Sequence, residues 1–156
     1  MHVPFESVNV NILERVKENQ KMNCYWCSTQ RRTELLNYAM ANGFNKIALG
    51  HHMDDVLETL LMNMLNKGEL STMIPSLKYE NYPVTVIRPL YYVSESRIVD
   101  YAKEKGFYGF TCTCNYQDNS QRKAARKKLE DLTDGDLIKK EKLLTSLKNI
   151  NTNYLP

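Results

Sequence analysis

Glycine is scarce in this chain: six residues in 156, at 43, 50, 68, 106, 109 and 135, with no two adjacent. A glycine-rich loop that lets backbone N–H groups close around a phosphate is therefore absent. Apolar runs are also missing. None approaches the roughly 18 residues of a membrane span, and the opening "MHVPFESVNV" has no basic stretch followed by an apolar one. A cytosolic protein with no membrane partner is expected. Charge of one sign is lacking too, since 21 Lys and Arg stand against 18 Asp and Glu for a net +3, which on its own names no partner. At this length a single domain across residues 1–156 is expected, with no repeat, low-complexity tract or linker.

What is present alternates between strand-like and helix-like patterns. Residues 3–12, "VPFESVNVNI", alternate β-branched positions and predict a strand, and a short helix or loop follows. "STQRRTELLNYAMANG" aligns Leu35, Leu36, Ala39 and Met40 on one helical face and stops at Asn42-Gly43. "KIALG" reads as a short strand. Leu57, Leu60, Leu61, Met64 and Leu65 then recur at helical spacing up to Gly68. "YPVTVIRPL" predicts a strand broken at Arg88-Pro89. "SESRIVDYAKEKG" predicts a helix with Ser94 as its N-cap, and two further helices are expected over "QRKAARKKLEDL" and "DLIKKEKLLTSLKNI". The alternation predicts an α/β fold with a parallel sheet.

Between the "KIALG" strand and its helix lies "HHMDDVLET". Loops at the carboxyl ends of parallel strands are where α/β folds bind ligands. Asp54 and Asp55 fall in the first helical turn, where the dipole favours carboxylates. Asp55, Glu58 and Thr59, at spacings of three and four, are within mutual reach and could approach magnesium, a ribose or a polar substrate. The alternative is that one aspartate caps the helix, the other is solvated and the histidines fill a loop. Adjacent side chains diverge, so His51 and His52 together make a poor zinc pair.

The four cysteines form two close pairs. Cys24-Tyr-Trp-Cys27 has the gap that aims two thiolates at one metal or cluster, although a buried, inert pair has the same spacing. Cys112-Thr-Cys114, if extended, puts its side chains about 6 to 7 Å apart, too far for one metal ion. Three or four converging thiolates would suit a structural zinc or an iron–sulfur cluster. Downstream, Arg122, Lys123, Arg126, Lys127 and Lys128 make a positive stripe at helical spacing. It is either a solvated face or, with Arg31 and Arg32, a surface for nucleic-acid phosphates.

Taken together and in order, "CYWCSTQRR", "NKIALGHHMDDVLETLLMNM", "IRPLYYVSESRI" and "CNYQDNSQR" resemble the tRNA 2-thiocytidine-synthesising proteins of the PP-loop, or N-type ATP pyrophosphatase, superfamily. The resemblance implies the Rossmann-like adenine nucleotide alpha hydrolase fold, of which this chain is the C-terminal part. It also implies an enzyme that uses ATP and Mg2+ to adenylate the C2 oxygen of an anticodon-loop cytidine, after which sulfur displaces AMP. A [4Fe-4S] cluster on three cysteines carries the sulfide in that family. Carried over, Cys24 and Cys27 are two ligands and the third is Cys114 or Cys112. Gly50, His51, Asp54 and Asp55 form the nucleotide and magnesium end, with Asp54 and Asp55 catalytic, and Arg88 positions this region or the substrate. The RNA surface comprises Arg31, Arg32, Arg122, Lys123, Arg126 and Lys127. Expected partners are tRNA, a sulfur donor protein or sulfide, and a second copy in a homodimer.

Two features depart from the family pattern. The second cysteine pair has a one-residue gap instead of two, and the Ser-Gly-Gly-x-Asp-Ser phosphate loop is absent. A sheet that begins after that loop is expected to leave a strand edge unpaired. The competing readings are a non-catalytic RNA-binding module stabilised by zinc on the cysteines, and another PP-loop tRNA-modifying enzyme.

Overall fold

A computed structural model of the protein describes residues 3–16, 22–107, 109 and 121–155. Three strands, β1 (Lys46–Ala48), β2 (Ser76–Lys78) and β3 (Thr85–Ile87), form a sheet in the order β1-β3-β2. Among the described residues five α-helices accompany it: α1 (Cys24–Ala41), α2 (Met53–Lys67), α3 (Glu95–Glu104), α4 (Gln121–Thr133) and α5 (Leu137–Ser146).

The α/β class is as expected, but the sheet is mixed instead of wholly parallel. β1 pairs parallel with β3, Ile47 opposite Val86, while β2 pairs antiparallel with β3, Leu77 opposite Val86. The cause is connection length. Residues 79–84 return the chain directly, with Tyr82 edge-on to Tyr79 at 5.9 Å, and so short a link permits only the antiparallel arrangement. The β1-to-β3 connection contains α2 and is long enough for a parallel crossover.

The strand predicted over residues 3–12 does not form. Those residues are without regular structure, with Val3 69% and Phe5 90% exposed. Alternating β-branched residues favour a strand only where a neighbour accepts the backbone hydrogen bonds, and among the described residues none does. Side-chain ties hold the segment instead: Tyr38 donates to Glu6, and Arg15 pairs with Glu34 at 2.6 Å.

The predicted helices are present, and their ends follow the expected chemistry. The Asn23 side chain caps α1, accepting from Trp26 N–H at 2.8 Å. Ser94 caps α3 through Arg97 N–H, and Asp136 caps α5 through Ile138 and Lys139. Gly68 ends α2 at φ +67°, a conformation glycine adopts without a Cβ penalty. Gly43, at φ +71°, turns the chain from α1 directly into β1.

Two apolar clusters result. The larger joins Met53, Val56, Leu57, Leu60 and Leu61 of α2 to Leu129 of α4, Leu144 of α5 and Tyr91. The smaller holds Leu36 and Ala39 of α1 against Val84, with Ile47, Tyr79 and Tyr82 at its rim. The predicted apolar faces are thus partly right, since Leu35, Met40, Met64 and Leu65 remain exposed. Among the described residues β1 is an edge strand with a neighbour on one side only, and its Lys46 and Ala48 are exposed. The unpaired edge matches expectation.

Candidate functional site

The parallel pair β1 and β3 ends with Ala48 and Ile87, and the residues just beyond converge. Arg88 Nε donates to His51 Nδ1 at 3.3 Å, and its Nη1 donates to the Ile74 carbonyl at 2.5 Å. Burial holds His51 below the usual histidine range, against the pull of Asp55 upward, and Arg88 and Arg122 add to the lowering. Gly50 lies open next to this pair; a Cβ there would meet no other atom within 4 Å.

The two aspartates that open α2 face different surroundings. Asp55 closes the helix start by accepting from His52 N–H at 3.0 Å, and Arg122 of α4 binds its other oxygen at 2.6 Å. Asp54 is buried, not solvated. It accepts from Glu95 N–H, the first residue of α3, at 2.7 Å and from Lys140 of α5 at 3.0 Å. Burial alone would raise the Asp54 carboxyl, but the Glu95 N–H and the Lys140 ammonium outweigh it and hold it below the ordinary carboxylate value. Lys140 itself is buried between Asp54 and Glu130, at 3.0 and 2.6 Å.

One turn further along α2, Glu58 is fully buried. Its Oε1 accepts from Arg126 at 2.7 Å, while Oε2 has no hydrogen-bond partner among the described residues and lies 3.9 Å from Arg122 Nε. Burial raises the Glu58 carboxyl above its ordinary value despite the nearby guanidinium. Arg126 continues to Glu95 at 3.4 Å. Carboxylates of α2 and arginines of α4 therefore alternate along the seam between the helices. Thr59 turns inward, its hydroxyl donating to the Asp55 carbonyl at 2.8 Å. Asp55, Glu58 and Thr59 are engaged with protein groups, and no three His, Cys, Asp or Glu side chains among the described residues converge as a metal site.

The first cysteine pair sits in the opening turn of α1, Cys24 exposed and Cys27 half-buried, three residues apart on one side of the helix. Because α1 turns sharply into β1 and packs against it through Leu36 and Ala39, its amino end projects past the carboxyl end of β1, toward His51 and Arg88. The positive charge of Arg32, exposed on α1, lowers the pKa of both. Cys112 and Cys114 lie outside the described residues. Among the basic residues, Arg122 and Arg126 bind α2 carboxylates, Lys127 pairs with Asp131 at 2.7 Å, and Arg31 and Lys123 are exposed.

Sequence reading missed the partnership of these arginines with α2, and it missed Lys140 and Glu95 altogether. A signal existed for the first: arginines four apart on one helix match carboxylates three apart on another. Nothing in the sequence marked Lys140, one of nine lysines and arginines from Arg122 onward that look alike as solvated charges.

The chain is 44% identical over 119 residues to the tRNA-cytidine(32) 2-sulfurtransferase of Stenotrophomonas maltophilia, covering 76% of this chain and 39% of that protein. It is 37% identical over 147 residues to the tRNA-cytidine(32) 2-sulfurtransferase of Citrifermentans bemidjiense, covering 93% of this chain and 58% of that one. The Legionella pneumophila protein of the same name is 36% identical over 157 residues, covering 98% and 56%. The chain thus spans about half the length of the curated relatives it matches. Among solved structures, the U34-tRNA thiolase NcsA from Methanococcus maripaludis with its [4Fe-4S] cluster shares the fold at a TM-score of 0.70, with 22% identity, over 88% of this chain and 47% of that one. The model of the PP-loop domain matches residues 6–132, and with that span covered the chain belongs to the PP-loop family.

Proposed function

We propose that this chain is part of an ATP-dependent tRNA sulfurtransferase that 2-thiolates a cytidine of the anticodon loop. The observation that carries the reading is the placement of the Cys24–Cys27 turn at the same end of the sheet as His51, Arg88 and Asp55. Sulfur chemistry and nucleotide chemistry must meet at one base, and this end of the fold brings their residue types together. The names of the curated relatives point the same way.

In this reading ATP, with Mg2+, adenylates the C2 oxygen and releases pyrophosphate, and sulfide attacks C2 so that the oxygen departs with AMP. Two thiols on an accessible helical turn fit a cluster's ligand pair. A [4Fe-4S] cluster there would take Cys24, Cys27 and one of Cys112 or Cys114 and supply a place for the incoming sulfur. His51 and Gly50 border the nucleotide, and Asp54 and Asp55 fix the α2 start through their contacts to α3, α4 and α5. No glycine pair is available for a phosphate loop, so residues beyond this sequence meet the β- and γ-phosphates. Arg31, Arg32 and Lys123 supply the RNA face, with Arg122, Arg126 and Lys127 bordering it. A sulfur donor, a second copy of the chain and a cytoplasmic location complete the proposal. Consistent with it, no helix among the described residues is long and apolar enough to cross a membrane.

The test is anaerobic reconstitution with iron and sulfide, followed by incubation with undermodified tRNA, ATP and Mg2+ and mass analysis of the nucleosides. The full-length protein containing this chain should yield 2-thiocytidine, and Cys27→Ser should abolish it. Product formation by colourless protein with intact yield would overturn the role of the cysteines.

A further inference from the structure

Tyr25, between the two cysteines of the first pair, is 82% exposed. Phe5 and Tyr154 are more exposed still, but Phe5 lies in a segment without regular structure and Tyr154 in the short 3-10 helix Thr152–Tyr154. Single exposed aromatics of that kind need no explanation. Tyr25 differs because its backbone is braced. Its carbonyl accepts from the Ser28 hydroxyl at 2.8 Å and from the Thr29 hydroxyl at 3.0 Å, and the Asn23 cap holds the N–H of Trp26 beside it at 2.8 Å. Helix α1 thus presents the ring from a fixed turn, while among the described residues the ring has no aromatic, cationic or hydrogen-bonding partner.

Helix register gives the direction in which it is presented. Tyr25, Arg32, Leu36 and Ala39 are separated by seven, four and three residues, so they form one stripe along α1. Leu36 and Ala39 are buried because that stripe faces the sheet. Arg32 and Tyr25 continue the stripe but are exposed, because an 18-residue helix, about 27 Å long, outruns three-residue strands. The Tyr25 position is about 100° around the helix axis from Cys24 and about 160° from Cys27. A group packed on the ring therefore lies beside the cysteine turn, on the side of α1 that faces past the carboxyl end of β1.

The surroundings indicate what fits there. From Asn23 to Thr33 the helix carries Arg31 and Arg32 and no carboxylate, so the surface joins one flat π face to positive charge. An unpaired base in a single-stranded loop is the complement, a ring to stack on a backbone of negative charge. A protein partner would call for a broader apolar patch than one ring among Cys24, Ser28 and Arg32.

We propose that the Tyr25 ring is a stacking platform for an unpaired RNA base. That this base is the cytidine to be thiolated rests on the function proposed above; the stacking itself does not.

The experiment uses the reconstituted full-length protein containing this chain and an anticodon stem-loop RNA with a fluorescent cytidine analogue in its loop, whose emission reports stacking. Wild type should bind this RNA with a change in emission. Tyr25→Leu, which keeps apolar volume but has no π face, should weaken binding by about tenfold and abolish the emission change. Its slope of log affinity against log salt should stay that of wild type, because no charge is removed. Tyr25→Phe should retain both affinity and emission change, and Phe5→Leu, exposed but outside α1, should match wild type. Tyr25 is too exposed for these substitutions to unfold the chain. Wild-type affinity in Tyr25→Leu, a shallower salt slope in that variant, no emission change in wild type, or a Tyr25→Phe variant as weak as Tyr25→Leu would each overturn the proposal. Stacking on Tyr25 in a protein that makes no 2-thiocytidine would leave the platform standing and remove the thiolation reading. Formation of 2-thiocytidine by Tyr25→Leu with an unchanged KM for RNA would do the reverse.

Discussion

The α2–α4–α5 half and the α1–sheet half are built on different principles. In the first, apolar side chains of three helices interdigitate, and beside them run ion pairs in which nearly every buried charge has a partner. In the second, a cluster of three buried residues packs beside a three-stranded sheet whose first strand has, among the described residues, a neighbour on one side only. The helical half carries the stability, and the sheet half carries the surfaces a ligand can reach. His51, Arg88 and Asp55 lie along the boundary, so they borrow rigidity from one side and access from the other.

Matched truncations give the largest test of this contrast. Leu57→Ala, within the larger cluster, should lower unfolding free energy by roughly 3 to 4 kcal/mol, because a fully enclosed site relaxes little. Leu36→Ala, in the thin cluster, should lose about 2 kcal/mol, since exposed Phe44 and Leu35 leave room for collapse. Urea denaturation of both proteins measures the difference, and equal losses would erase the distinction drawn here. Next, Lys140→Met leaves the Asp54 carboxylate buried with only a backbone donor, and a loss of roughly 3 kcal/mol at neutral pH is expected. Most of that loss should disappear in the double variant with Asp54→Asn, which removes the unpaired charge.

A smaller effect concerns pH. The Glu58 carboxyl is raised on folding, so its protonated form favours the native state, and stability falls as pH rises from the ordinary glutamate range through the raised value. Asp54 is lowered on folding, so its contribution is present above the ordinary aspartate range and is lost only as pH falls through the depressed value. Stability against pH should therefore decline above the glutamate range in the wild type, and Glu58→Gln should flatten that decline while leaving the Asp54 limb in place. A Glu58→Gln profile parallel to the wild type would show that the buried carboxyl does not titrate as its surroundings demand. Smallest of all, Phe44→Ser at the exposed rim should change stability by less than about 0.5 kcal/mol.

Helix content was legible because periodicity and caps are local: Ser94, Gly43 and Gly68 act within a few residues of themselves. Strand pairing was not, because it depends on distant partners. Residues 3–12 have strand-like alternation with nothing described to pair with, whereas Leu77 and Val86 form a ladder that only the brevity of residues 79–84 makes antiparallel. The "HHMDD" block was recognisable as a site from its position after a strand, yet its internal assignments were not. Which aspartate caps and which is buried depends on Arg122, Glu95 and Lys140, which lie 41 to 86 residues away. A sequence displays charges, but their pairing is a property of packing.

The abrupt turn from α1 into β1 turns α1 into a ruler. Helix geometry sets the Cys27 thiol about 14 Å along the axis from Leu36, which is pinned to the sheet. Inserting one residue between Arg32 and Leu36 would lengthen that reach by only about 1.5 Å but swing the cysteine turn by about 100° around the axis. Angle, far more than distance, is what this helix fixes, and chains of this architecture should tolerate substitutions on the exposed face of α1 much better than any change in its length.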